Sequence, residues 1–207
     1  LHRVDRRQRQ MCIRDSRVLV HDAVYDEFAR RLSEAVSALH VAPGFDPAST
    51  VGPLINAAAV TKVERHLDDA LSRGGKVIAR GSGREDGNFV RPVVLTEAET
   101  GMALATEETF GPIAPLFRFA AEDEALRMAN DTPYGLASYF FTRDLARAFR
   151  VAEGLEAGMI ALNTGSIAME MAPFGGIKQS GLGREGGQVG IEEYLETKAF
   201  HIGGLEG

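Results

Sequence analysis

Apolar residues along the chain alternate between a strand-like and a helix-like period. "RVLVH" (17–21) is β-rich. Val24, Phe28, Leu32, Ala35, Val36 and Leu39 then recur at helical spacing, which predicts an amphipathic helix with that stripe inside. "PGFDPAST" (43–50) reads as a loop. Asn56 is of the type that caps a helix N-terminus, and Val60, Val63, Leu67, Ala70 and Leu71 predict the buried stripe of a second helix, ended by Gly74-Gly75. "KVIAR" (76–80) predicts a strand, followed by a turn with Asp86-Gly87. "FVRPVVLT" (89–96) predicts another, with Pro92 pointing to an edge or a bulge.

After "TEETFGPIAPLFRF" (106–119) the pattern predicts a helix over 122–128, a turn over 130–137 and a strand over 138–142. A helix over 145–155 would carry Leu145, Ala148, Phe149 and Ala152 on one face. "GMIALN" (158–163) is a continuous apolar run, as in a strand buried on both faces. A glycine-rich loop, a helix around 187–197 and a terminal "KAFHIGG" follow. This alternation predicts an α/β fold, a mainly parallel sheet with flanking helices.

Composition narrows the picture. With 207 residues, 44% of them hydrophobic and 25% charged, the chain can form one domain with a real core or two small ones. No apolar run approaches the ~18 residues that span a membrane, and the first residues carry no secretory pattern. The single cysteine, Cys12, excludes an internal disulfide, so a reducing, cytoplasmic setting is expected. Residues 1–17 carry a charge of +4 and the rest −10. An acidic body does not suggest nucleic-acid binding, and the basic start has no aromatic residue for base stacking. That start, "LHRVDRRQRQMCIRDS", has no clean periodicity, and "MCIRDS" resembles translated sequencing-adapter sequence. Residues 1–16 are therefore expected to be a foreign or disordered leader.

Gly181-x-Gly183-x-x-Gly186 matches the glycine pattern of dinucleotide-binding folds. Such a fingerprint follows a strand, opens a helix and sits within a strand–helix–strand unit. Here "APFGGIKQS" precedes it, with Pro173 and adjacent glycines, and only 21 residues follow Gly186. The match is expected to be a coincidence.

Parallel sheets place ligand sites at the C-terminal ends of strands. Two loops have the right character. In the first, Glu107, Glu108, Phe110, Gly111 and Pro112 fall together. A carboxylate followed by an aromatic could hold a ribose, the carboxylate accepting hydroxyl hydrogen bonds and the ring supplying a flat wall; spacing alone favours a solvated glutamate pair and a core phenylalanine. The second, Asn163 to Gly183, is either a ligand loop or a glycine-rich structural turn.

"EETFGP", "NDTPYGLA", "NTG", "APFGGIKQSGLGREGG" and "EEYLETK", in this order, resemble the C-terminal part of the aldehyde dehydrogenase superfamily, in its succinate-semialdehyde dehydrogenase-like branch. The resemblance runs over 17–206. It implies a partial catalytic α/β domain over 17–185 and a C-terminal oligomerisation segment over 186–207, with the phosphate cradle elsewhere in a longer protein. It also implies NAD or NADP as cofactor, a small-molecule aldehyde as substrate, a dimeric or tetrameric homo-oligomer, and neither nucleic acid, membrane nor metal as partner.

The family's chemistry is attack of a cysteine thiolate on the aldehyde, hydride transfer from the thiohemiacetal, and hydrolysis of the thioester. Gln10, Cys12 and Arg17 fit the family's Gly-Gln-x-Cys-x-x-x-x-Arg stretch, while Arg9 replaces its glycine. The resemblance thus makes Cys12 the catalytic position. Glu108 and Phe110 match the nicotinamide-ribose contacts, Phe174 a residue lining the substrate channel, and Ser166 and Ala168 the substrate loop. Where Ala168 stands, the branch commonly has a serine that binds the distal carboxylate; Ser166 is the residue left to compensate. The family's general-base glutamate and oxyanion-hole asparagine are absent from this chain. It is expected to be inactive alone, and the alternative to an enzyme fragment is a non-catalytic interaction module.

Overall fold

In the computed structural model the described residues are 17–167 and 169–204. They divide into two compact units, one within residues 14–132 and one within 133–207.

The first unit is built on a four-stranded sheet whose strands β1 (Val18–His21), β6 (Ile113–Phe119), β5 (Val93–Thr96) and β3 (Lys76–Arg80) lie side by side in that order. β1 and β5 both run parallel to β6, whereas β3 runs antiparallel to β5 with a register shift between Val77 and Ala79. The sheet is therefore mixed and mostly parallel. Two short strands, β2 (His40–Val41) and β4 (Ser82–Gly83), pair separately. Pro92 lies just before β5, an interior strand, so it marks neither an edge nor the bulge; its carbonyl accepts the Gly81 amide at 2.8 Å.

Alternate residues of β5 and β6 feed opposite faces of the sheet. Val94 and Leu116 pack with helix α1 (Asp22–Ser37), while Leu95 and Phe117 pack with Val63 and Ala70 of helix α2 (Ala57–Ser72) and with Met102 and Leu104. The buried stripe of α1 is Tyr25, Ala29 and Val36: of the expected positions Val36 is buried and Leu32 and Leu39 pack against the same cluster, but Val24 and Phe28 face outward. Tyr25 wins because it supplies both an apolar body and a polar tip. Its hydroxyl donates to the Leu116 carbonyl at 3.1 Å, and the Arg118 guanidinium sits 3.7 Å over its ring. Helix α2 starts as expected, with the Ala59 amide donating to Asn56 Oδ1 at 2.9 Å, and Gly74 ends it at φ 96°. Its stripe includes His66, fully buried, whereas Leu71 is exposed.

A one-turn helix α3 (Ala103–Thr106) leads into β6, and helix α4 (Glu122–Asn130) follows it. The Arg17 guanidinium donates to the carbonyls of Met128 (2.7 Å) and Ala129 (2.9 Å), satisfying groups that the end of α4 leaves without helical partners.

The second unit holds β7 (Tyr134–Gly135), β8 (Ala137–Phe140), helix α5 (Leu145–Gly154), β9 (Met159–Leu162) and β10 (Ile177–Lys178). β8 and β9 are parallel and joined by α5; β7 and β10 are antiparallel. β9 is not buried on both faces. Among the described residues its sheet has two strands, and Leu162 is exposed. On α5 only Ala148 is buried, while Leu145 and Phe149 of the predicted inner face are 71% and 63% exposed. In place of a helix over 187–197 there is a 3₁₀ turn, Val189–Tyr194, and residues 195–204 form no strand. Gly186 and Gly187 both adopt left-handed backbone just before that turn, a conformation that does not continue into an α-helix.

Candidate active site

In the first unit, residues 107–112 carry the chain from α3 into β6. Glu107 is not a freely solvated carboxylate. The Arg65 guanidinium grips it through both nitrogens, and His66 Nε2 lies 3.3 Å from its Oε2. On the other side of the imidazole, His66 Nδ1 lies 2.9 Å from Thr109 Oγ1, with both groups buried. Gly111 is pressed against α2, since a Cβ there would meet Val63 Cγ2 at 2.1 Å. Phe110 is not core: its φ is 46° and 47% of it is exposed. A bulky residue in the left-handed region is strained, and here the strain accompanies an aromatic ring turned outward. Glu108, half-buried, precedes it by two positions on the same loop.

This network has a signature in acid. Burial pushes the His66 pKa below its ordinary value, opposed by its hydrogen bond to Glu107 and reinforced by the neighbouring Arg65 charge. Hydrogen bonds from Arg65 and then His66 hold the Glu107 carboxyl down at about 2. As pH falls through ~6.5, the unfolded chain takes up a proton on this histidine that the folded chain refuses, so stability drops until the folded group also titrates. Glu107 adds a lower window, its contribution being lost as pH falls from 4.5 towards 2. Urea midpoints at pH 7 and pH 5.5 are expected to differ, and His66→Asn to shrink the difference. Equal pH dependence in the two proteins would count against it.

The second unit places the other loop after β9. Asn163, at φ 56°, is pinned to Thr142 twice: Oδ1 accepts its amide at 2.9 Å and Nδ2 donates to its carbonyl at 2.8 Å. Ser166 is exposed, its amide donating to Thr164 Oγ1 at 3.1 Å. Phe174, half-buried, exchanges two 2.7 Å backbone hydrogen bonds with Glu185. The next glycines allow close chain crossings: a Cβ on Gly175 would meet the Gly183 carbonyl oxygen at 2.6 Å. Arg184 Nη1 donates to the carbonyls of Gly176 (2.9 Å) and Gly183 (2.8 Å), tying the loop to itself. Gly181, Gly183 and Gly186 all have left-handed φ, but a two-residue antiparallel strand precedes them and a 3₁₀ turn follows. No α-helix N-terminus stands there to receive a phosphate, so the glycine pattern is a structural turn.

Glu108 and Phe110 thus share one loop of the first unit, and Ser166 and Phe174 lie in the second. Cys12 and Ala168 lie outside the described residues. His66 and Thr109 were not anticipated. Their pairing joins positions far apart in sequence, and "VERHLDD" shows only a histidine at a stripe position. Among the described residues no group of three or more His, Cys, Asp or Glu side chains could hold a metal ion, and no helix is long and apolar enough to cross a membrane.

Residues 6–200 match the model of the aldehyde dehydrogenase family. The chain is 52% identical over 195 residues to the NADP(+) succinate-semialdehyde dehydrogenase of Escherichia coli, covering 94% of this chain and 40% of that protein. It is 53% identical over 193 residues to a glutarate-semialdehyde dehydrogenase of Pseudomonas putida, covering 93% of this chain and 40% of that one. An aldehyde dehydrogenase crystal structure from Brucella melitensis biovar abortus superposes with a TM-score of 0.87 at 51% identity, over 91% of this chain and 39% of that one. The chain therefore spans about 40% of the length of its relatives, and the matches do not place it as their C-terminal fragment. With a family model matching nearly its whole length, the chain belongs to the aldehyde dehydrogenase family.

Proposed function

We propose that this chain is part of an NAD(P)-dependent dehydrogenase that oxidises a semialdehyde, succinate semialdehyde or a similar ω-carboxy aldehyde, to the acid. The observation that carries this reading is the loop at 107–112, where Phe110 is exposed in left-handed backbone two positions after the half-buried Glu108. The Glu108 carboxylate would accept hydrogen bonds from the nicotinamide ribose, and the Phe110 ring would wall the nicotinamide. Bound NAD or NADP would supply the hydride acceptor. These residues fit only the nicotinamide-riboside end of the cofactor. Cys12 would attack the aldehyde, Phe174 would line its approach, and the Ser166 hydroxyl would meet the distal carboxylate from the loop that also contains Ala168. Within this reading residues 17–185 are a partial catalytic domain, 186–207 a segment of homo-oligomeric contact, and the compartment is cytoplasmic.

Replacing the matching segment of the Escherichia coli relative by residues 17–204 tests the proposal. The chimaera is expected to favour succinate and glutarate semialdehydes over butanal by at least about tenfold in kcat/KM, because a site built for an anion leaves its polar groups unpaired with an alkyl chain. Phe110→Ala is expected to raise KM for NAD(P). Equal use of butanal, or a folded chimaera without turnover, would sink the reading. The 207-residue chain alone is expected to produce no NAD(P)H from succinate semialdehyde, and turnover by it would contradict that expectation.

A second reading, a non-catalytic interaction module, is favoured by the exposed Tyr194, Phe200 and Ile202. Concentration-dependent association in sedimentation velocity, lost in Phe200→Ser with Ile202→Ser, would support it.

A further inference from the structure

Three odd-numbered residues of the loop that carries Glu108 and Phe110 contact α2. Glu107 meets Arg65 and His66, Thr109 meets His66, and Gly111 packs on Val63. Val63 and His66 are three residues apart, so they occupy one face of α2. In extended chain successive side chains alternate sides, and Glu107 has extended backbone at φ −104° and ψ 141°. Docking Glu107 on α2 therefore directs Glu108 away from the Arg65–His66 side, while Phe110 leaves extended chain at φ 46° between the docked Thr109 and Gly111 and is itself 47% exposed. His66 contacts two of the three docked positions, using both ring nitrogens, and is fully buried. A hydrophobic side chain would fill this stripe position of α2 equally well, but only a side chain with two polar edges can hold both 107 and 109.

We propose that His66 is the positioning residue of this loop: by bridging Thr109 and Glu107 it fixes the outward presentation of Glu108 and Phe110 on which nicotinamide-nucleotide binding depends. The proposal rests on the cofactor reading of the loop given under the proposed function. Thr109 is the second member of the device, and Arg65 is the third: it grips Glu107, and its Nη2 lies 3.1 Å from His66 Nε2. Phe110, strained at φ 46°, has a conformation to relax into once the clamp is released.

The test uses the 207-residue chain, with amide hydrogen exchange and an NMR titration with β-nicotinamide mononucleotide. His66→Phe keeps the ring volume and removes both polar edges. Thr109→Val removes one link without touching the helix, and serves if His66→Phe does not fold. His66→Asn is the rescue, since its amide overlays the Nδ1 edge that faces Thr109. In His66→Phe and Thr109→Val the amides of Glu107 and Ile113, which donate to the Ala103 and Gly111 carbonyls at 2.8 and 2.9 Å, are expected to exchange about tenfold faster or more, with the rest of β5 and β6 unchanged, as in a local opening. Mononucleotide affinity should fall by about tenfold with them, and His66→Asn, which keeps the Thr109 link alone, should restore both in part. Unchanged loop exchange in both variants, or equal acceleration throughout the sheet, would overturn the proposal. Absence of any mononucleotide shift at Phe110 in the unmodified chain would instead remove the cofactor reading, while the exchange data decided the positioning role separately.

Discussion

Phe117→Ala is expected to lower the unfolding free energy by about 3–5 kcal/mol, the cost of emptying a large aromatic site in a core that relaxes only in part. Phe117 is fully buried in β6, which has β1 on one side and β5 on the other. Its ring belongs to the cluster formed with Leu95, Met102, Leu104 and Val63. Loss of the ring therefore loosens the sheet and α2 together, and α2 carries the residues that hold the loop at 107–112. Total stabilities of domains run to about 5–15 kcal/mol, so the variant should be folded only marginally or not at all at 37 °C. Urea denaturation followed by circular dichroism measures the change. A loss under about 1 kcal/mol would mean that the cluster is packed differently.

Gly158→Ala has the next largest expected effect, and it acts on the second unit. An added Cβ would stand 2.0 Å from the Gly175 carbonyl oxygen and 2.8 Å from the Gly176 Cα. Both obstacles are backbone, so no side chain can swing aside. The Gly158 amide also donates to the Gly135 carbonyl at 3.0 Å, and Gly135 itself pairs with Ile177. Moving one strand away shifts the start of β9 and the return of the loop that carries Ser166 and Phe174. The cost is expected to reach or exceed the ~1–3 kcal/mol typical of overpacking, with faster proteolysis within 163–176. Gly165→Ala is the control: nothing lies within 4 Å of its Cβ, and it should be cleaved as the unmodified chain is. Equal cleavage of all three proteins would show that the close crossing is not what holds the loop.

Local chemistry made much of this fold legible. Asn56 and Gly74 announced the ends of α2 because a cap and a left-handed glycine act within a few residues of themselves. The helical period located α1 and the inner side of its C-terminal half, but misjudged the first turns by one position, because the period cannot weigh Val24 against a tyrosine whose hydroxyl finds a partner on β6. β9 looked doubly buried from composition alone, yet burial depends on how many strands lie beside it. At the candidate site, spacing left the glutamate pair and Phe110 open between solvent and core. What singled out Glu108 and Phe110 was the resemblance of "EETFGP" within an ordered set of motifs, and the structure adds the left-handed backbone and the exposure of Phe110. The clamp by His66 was illegible because hydrogen bonds between a helix and a loop more than one element away leave no periodic trace.

The pairing of β1 with β6 has a consequence for how the molecule is made. Val18 lies opposite Leu116, so the first strand of the four-stranded sheet meets its only neighbour among the described strands after three helices and four other strands have been synthesised. At ~5–20 residues per second, β1 waits on the order of ten seconds on the ribosome. During that wait α1 can form, but its Tyr25 hydroxyl has no carbonyl to meet and its apolar face no sheet. A parallel closure of this span is also slow by topology. Nascent chains halted before Ile113 should accordingly bind chaperones through the Tyr25–Val36 face, and those halted well beyond Phe119 should release them.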